Sequence, residues 1–177
     1  MRIIVRGVSV MIINRVWAMP DRWTFRIKPI AELLSRYVGD GKGWIDPFAG
    51  KSELAEYRND LSVSGIDSYD WVNSLNHTFN GCLFDPPYSP RQVSECYKSV
   101  GLKASQLDTS SNFLSKMKDI IHPKIINNGL AISFGWNSNG FGKSRGFELI
   151  EILMVSHGGW HNDTIVTVER KIQDSML

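Results

Sequence analysis

Cys82-Leu83-Phe84-Asp85-Pro86-Pro87-Tyr88 is a short apolar run that ends on an acid, two prolines and an aromatic ring. As the end of a buried strand this is an odd exit, because it places a charge and two missing amide donors where a turn needs neither. The prolines fix φ and force an extended path, so the Asp85 carboxylate and the Pro86 carbonyl can point at one target with the Tyr88 ring beside them. That is a cradle for a planar group bearing N–H donors, such as the exocyclic amine of a nucleobase. A bare Pro-Pro pair after a strand would mean no more than a rigid loop; the flanking acid and aromatic argue for more.

A second segment supports that reading. Gly43-Trp44-Ile45-Asp46 reads as a buried strand and Pro47-Phe48-Ala49-Gly50 as the turn at its carboxyl end, where open α/β sheets place their ligands. Gly50 lets backbone approach a ligand closely. In these two segments together the chain resembles the S-adenosylmethionine-dependent amino-methyltransferases, whose catalytic motif is (Asp/Asn/Ser)-Pro-Pro-(Tyr/Phe/Trp) and whose first cofactor motif is Asp-Pro-Phe-Ala-Gly. It looks most like the small adenine-N6 DNA methyltransferases of phage and prophage type. The resemblance covers roughly Trp23 to Lys171, with the cofactor motif before the catalytic one. It departs where the family's usual Ser-Gly is replaced by Lys51-Ser52. Gly-Lys-Ser also ends a phosphate-binding loop, but that loop needs a glycine five residues before Gly50, where Ile45 stands; a nucleotide triphosphatase fails on spacing.

The resemblance implies a Rossmann-like class I methyltransferase fold: an α/β domain whose seven-stranded, mostly parallel sheet has an antiparallel last strand. Lys51 to Glu56 has room for about one and a half helical turns at most, so the helix after the first of these strands is expected to be shortened or missing. Tyr57-Arg58-Asn59-Asp60 reads as the next strand and Val63-Ser64-Gly65-Ile66-Asp67 as a third. In the family these strands end in an acid for the ribose hydroxyls and a residue beside the adenine, roles that fall to Asp60 and Asp67 with their neighbours Leu61 and Ser68. In a competing register Asp67 holds the ribose and the third strand is missing, since only 17 residues separate Asp67 from Asp85. Upstream, Thr24, Phe25 and Pro29 match the family's cover over the methionine end of the cofactor. Cofactor contacts are thus expected at these residues, at Asp46, Pro47, Phe48, Ala49 and Gly50, and at Asp85.

Local patterns place the remaining elements. Asn14 to Lys28 reads as an aromatic-rich loop, and Pro29 opens a helix with Ile30, Leu33, Leu34, Tyr37 and Val38 on one stripe. Met1 to Ile13 is an irregular extension: either a stray edge strand or residues upstream of a start at Met11. Ser89 and Gln92 form a capping box around Pro90, so a helix from Arg91 to Val100 starts at the catalytic loop and makes Arg91 a candidate phosphate contact. Phe113, Met117, Ile120 and Ile121 share a helical face stopped by Pro123. Leu130 to Phe134 is a strand whose glycine-rich exit carries Trp136, Asn137, Asn139, Lys143 and Arg145, a candidate surface for bases and phosphates. Phe147 to Val155 and Thr164 to Glu169 read as an antiparallel pair.

The 177 residues suit one domain, large enough to bury about 70% of its unfolded surface, with no separate target-recognition domain. Net charge is +2, from 20 basic and 18 acidic residues, so any nucleic-acid contact must be local. Cys82 and Cys96 lack metal or disulfide spacing, which suits a reducing cytosol. His157 and His161 sit on a Gly-Gly turn rather than one helix face, and no metal is expected. Nothing resembles a membrane span. The expected activity is methyl transfer from S-adenosylmethionine to adenine N6 in DNA, with Asp85, Pro86, Pro87 and Tyr88 at the acceptor amine. Specificity would be loose, or supplied by a partner or a second copy. An RNA adenine methyltransferase, an N4-cytosine DNA methyltransferase and a silent cofactor-binding subunit remain as alternatives.

Overall fold

The computed structural model describes residues 11–87, 90–99, 101 and 111–172. Its seven strands are β1 (Ile12–Trp17), β2 (Trp44–Asp46), β3 (Tyr57–Arg58), β4 (Phe79–Phe84), β5 (Ile125–Gly135), β6 (Phe147–Ser156) and β7 (Thr164–Lys171). They form one sheet in the order β1-β6-β7-β5-β4-β2-β3. All pairs are parallel except those of β7, which runs antiparallel to both β5 and β6. This is the expected Rossmann-like α/β sheet with its antiparallel last strand.

Strand residues alternate between two cores. Trp44, Leu83, Ile132, Leu153, Val155, Val166 and Val168 pack against Ile30, Leu33 and Leu34 of α1 (Lys28–Tyr37). Ile45, Cys82, Phe84 and Ala131 face the other side, where Val72 of α3 (Ser68–Ser74) and Met117 and Ile121 of α5 (Ser111–Ile121) cover them. Gly81 has no side chain because Trp44 of the neighbouring strand crosses it: a Cβ there would lie 2.6 Å from the indole. On the α1 side, fully buried Glu151 accepts hydrogen bonds from Arg36 at 2.8 Å and from the Tyr37 hydroxyl at 2.6 Å. Burial first, and that carboxylate second, push the Tyr37 phenol up to about 12.

Two expectations are corrected. The proposed third strand, Val63 to Asp67, is absent. Asp60 caps a single helical turn, α2 (Leu61–Ser64), by accepting the Ser62 N–H, and Gly65 closes it in the left-handed region at φ 70°. Val63 and Ile66 stay exposed, so a strand there would have no layer to cover it. The seventh strand comes instead from the far edge: Ile12 and Ile13 end the extension for which an edge strand is one reading, and the rest lies in the stretch read as a loop from Asn14. Ile12 to Trp17 pairs in parallel with Glu151 to Ser156, and Val16 packs against the α1 core. Its alternation is weak because an edge strand has one neighbour and little cover.

No helix forms between β2 and β3, in keeping with the short spacing. α4 (Pro90–Ser99) follows the Asp85-Pro86-Pro87 exit of β4 as expected. The Ser89 half of the capping box, residues 1–10 and the side chain of Cys96 lie outside the described residues. No helix among the described residues is long and apolar enough to cross a membrane.

Candidate active site

Because β3, β2, β4 and β5 run in parallel, their exits meet along one carboxyl edge. A cleft opens there in two adjoining parts of about 420 and 610 Å³, in the range of small-molecule sites. Trp23, Thr24, Phe48, Gly50, Lys51 and Asp85 line both parts. Phe25 and Ala49 line the smaller; Pro47, Asp60, Leu61, Asp67, Ser68, Pro86 and Pro87 line the larger. The two motifs thus face one space. Pro29, in the first turn of α1, and Asp46, fully buried at the end of β2, do not line it.

The turn after β2 is braced from three directions. Asp46 Oδ1 accepts the Phe48 N–H at 3.0 Å, and Asp60 Oδ2 accepts the Gly50 N–H at 3.1 Å. Ala49 N–H donates to the Asn59 carbonyl at 2.9 Å, and the buried Ser68 hydroxyl donates to the Pro47 carbonyl at the same distance. Gly50 is left-handed at φ 55°, with the Trp23 ring 3.6 Å from where a Cβ would stand. A side chain here would therefore be both strained and close to the cleft wall.

Asp46 is fully buried, and its Oδ2 has no hydrogen-bond partner. Burial pushes its carboxyl up to about 8; the Phe48 N–H opposes this, and the charges of Asp85 and Asp60 add to it. Across the turn, Arg22 lies 4.7 Å and Lys51 5.8 Å from the Trp23 ring centre. The cleft itself is lined by the acids Asp60, Asp67 and Asp85 and by the cations Arg22 and Lys51. Neither Arg22 nor Trp23 belongs to a motif, and Lys51 stands out in the sequence only as a departure from one.

Asp60 lies two residues beyond β3, where it caps α2, and Asp67 caps α3 while accepting the Tyr97 hydroxyl at 2.7 Å. Tyr97 and Phe113 also reach the larger part of the cleft, and neither was read as a site residue from sequence. Phe84, the last residue of β4, packs edge-on against Phe48 and Phe141, which fixes where Asp85 leaves the sheet. Pro86 is buried and Pro87 half-buried. Tyr88 lies outside the described residues.

The exit of β5 opens on the same edge. Arg145 binds Asp119 at 2.8 Å, the Phe141 carbonyl at 3.0 Å and the Ser115 hydroxyl at 2.9 Å, so its guanidinium holds this loop in place. Glu169 accepts the N–H groups of Phe141 and Gly142, and Lys118 donates to the carbonyls of Asn139 and Gly140. Asn137 Oδ1 accepts the Asn139 N–H. Trp136 and Lys143 stand exposed on the loop, and Arg91 on α4 is exposed and paired with Glu95 at 2.8 Å. His157 bridges the Ala18 carbonyl and the Thr164 hydroxyl through its two ring nitrogens, at 2.9 and 2.8 Å.

No family model matches the chain, and no curated protein matches it. Among solved structures, the chain is similar to a candidate methylase of Haemophilus influenzae, at 11% identity and a TM-score of 0.49, over 82% of this chain and 96% of that one. It is also similar to the candidate methyltransferase YhhF of Escherichia coli, at 10% identity and a TM-score of 0.48, over 82% of this chain and 84% of that one. Likenesses this distant carry no activity across, so function is argued from the geometry of the cleft.

Proposed function

We propose that the protein transfers the methyl group of S-adenosylmethionine to the N6 amine of adenine in DNA. The observation that carries this reading is that the Gly50 turn and the Asp85-Pro86-Pro87 exit share one cleft. The fit of the cofactor rests on the donors and acceptors present. The cations Arg22 and Lys51, which line the cleft, suit a carboxylate. Asp60 keeps acceptor capacity for ribose hydroxyls, while Leu61 and Val63 offer apolar wall to a purine. When bound, the cofactor supplies an electrophilic methyl on a sulfonium.

A nucleobase amine is a weak nucleophile because its lone pair is delocalised into the ring. The Asp85 carboxylate and the Pro86 carbonyl accept its two hydrogens, draw the nitrogen toward tetrahedral geometry and free the lone pair. No strong base is needed before transfer; the proton leaves afterwards to Asp85 or water. Tyr88 stacks on the base, which must be out of its duplex to be reached.

Transfer of tritiated methyl to unmethylated duplex DNA, single-stranded DNA and RNA, followed by nucleoside analysis, tests the reading. N6-methyladenosine from RNA, N4-methylcytosine, or no label would point respectively to the RNA enzyme, the cytosine enzyme or a silent subunit. Asp85→Ala is expected to lose about 10²-fold or more in kcat, a far larger effect than on cofactor affinity. Transfer at the parent rate in that variant would remove Asp85 from the chemistry.

A further inference from the structure

We propose that the carboxyl edge beyond the cleft is a stacking path for a single-stranded polynucleotide, built on Trp136, Trp160 and Trp17. This deepens the function proposed above and depends on it for the identity of the reacting base. The three indoles leave neighbouring parts of one edge: Trp136 directly after β5, Trp160 in the β6–β7 turn, and Trp17 at the end of β1. Trp17 is 64% exposed, Trp136 46%, and Trp160 is fully exposed. A core-packing role does not account for that exposure in three residues with large apolar faces.

The scaffold beneath two of them is fixed. The buried His157 ring ties the residue after Trp17 to the first residue of β7. A Cβ on Gly158 would lie 3.4 Å from the Trp17 indole nitrogen, so Trp17 rests against the turn that carries Trp160. Four strand spacings separate the Asp85 exit on β4 from Trp17 on β1, about 19 Å at about 4.8 Å each. That distance holds roughly six nucleotides stacked at about 3.4 Å, so a strand whose base enters the cleft can continue over all three rings.

Charge on these exits favours a polyanion. Arg15 precedes Trp17 by two residues on β1 and exposed Lys143 lies on the loop that Trp136 opens, against Asp163, which itself lies 4.0 Å from Arg15. Aromatic rings that accept any base, interleaved with cations for the backbone, form the combination that binds single strands without strict sequence preference.

The test is fluorescence anisotropy of a short labelled oligonucleotide containing adenine, as single-stranded DNA, as RNA of the same sequence and as duplex, with Trp160→Ala and Trp17→Ala beside the parent. Single strands are expected to bind at least about tenfold tighter than duplex. Each substitution should weaken them roughly 5- to 150-fold, with unchanged circular dichroism. The DNA and RNA arms identify the strand. Equal or tighter duplex binding, or parent-like binding by both variants, would overturn the path. So would sedimentation showing that the substitutions only break a dimer, since the indoles would then be a self-association face. Methyl transfer is measured in parallel: transfer with binding that ignores the tryptophans sinks the path alone. Tryptophan-dependent binding of single strands without transfer sinks the enzyme alone.

Discussion

Asp46→Asn isolates the buried carboxyl at the end of β2, behind the turn that forms the cleft wall. In the folded chain the carboxyl releases its proton near pH 8, against an ordinary value of 3.8. Between those values the folded state holds more protons than the unfolded state, so stability falls as pH rises. The penalty is absent below about pH 4 and complete above about pH 8. At about 1.4 kcal/mol per unit over roughly four units it approaches 6 kcal/mol, an upper figure because the turn can relax around the charge. Asparagine keeps an oxygen for the Phe48 N–H and replaces Oδ2 with an amide nitrogen, which lacks a partner much as a protonated Oδ2 does. Parent and variant should therefore lie within about 2 kcal/mol of each other at pH 4.5. The variant should gain steadily with pH, by up to about 10–20 °C in Tm at pH 8.5 for a chain of this size. Differential scanning calorimetry of both proteins at half-unit steps measures the gap directly. Two Tm curves that run parallel across the range would refute the buried, unpartnered carboxylate.

Gly81→Ala should destabilise the sheet by about 1–3 kcal/mol, read from denaturant midpoints, because the new methyl meets the Trp44 ring at 2.6 Å. Glu169→Ala leaves the N–H groups of Phe141 and Gly142 without their acceptor, so about 1–3 kcal/mol is lost and amide exchange should quicken in the loop after β5. Tyr37→Phe removes a donor from buried Glu151, with an expected loss of about 1–3 kcal/mol in the same titration. Lys51→Ser, which restores the residue usual in the resembled family, should weaken S-adenosylmethionine roughly 2- to 5-fold by calorimetry, with Lys51→Arg near the parent.

What could be read from the chain follows from how local each signal is. The strand ending at Phe84, the turn at Gly50 and the helix stripe from Ile30 to Val38 each declare themselves within a few residues. Their joint geometry then follows from parallel pairing, which brings the carboxyl ends of β2 and β4 to one edge. The two misplaced stretches fail for opposite reasons. Val63 to Asp67 carries β-branched Val63 and Ile66, residues that favour strands, yet they stand three apart, and Asp60 as a cap and Gly65 in the left-handed region make Leu61 to Ser64 a helical turn, because no second layer exists to reward a strand. Ile12 to Trp17 lacks clear alternation yet is a strand, since its pairing comes from β6, more than 130 residues away. Arg145 shows the same limit within the candidate site: in a glycine-rich loop it reads as a phosphate contact, and only the fold reveals Asp119 and Ser115 closing around it. Local chemistry thus identifies which residues can touch a ligand, whereas the partners that remove them from that role arrive through tertiary contacts. This is why Arg22, Trp23 and Lys51 at the mouth of the cleft come from the structure, and Asp85 from the sequence.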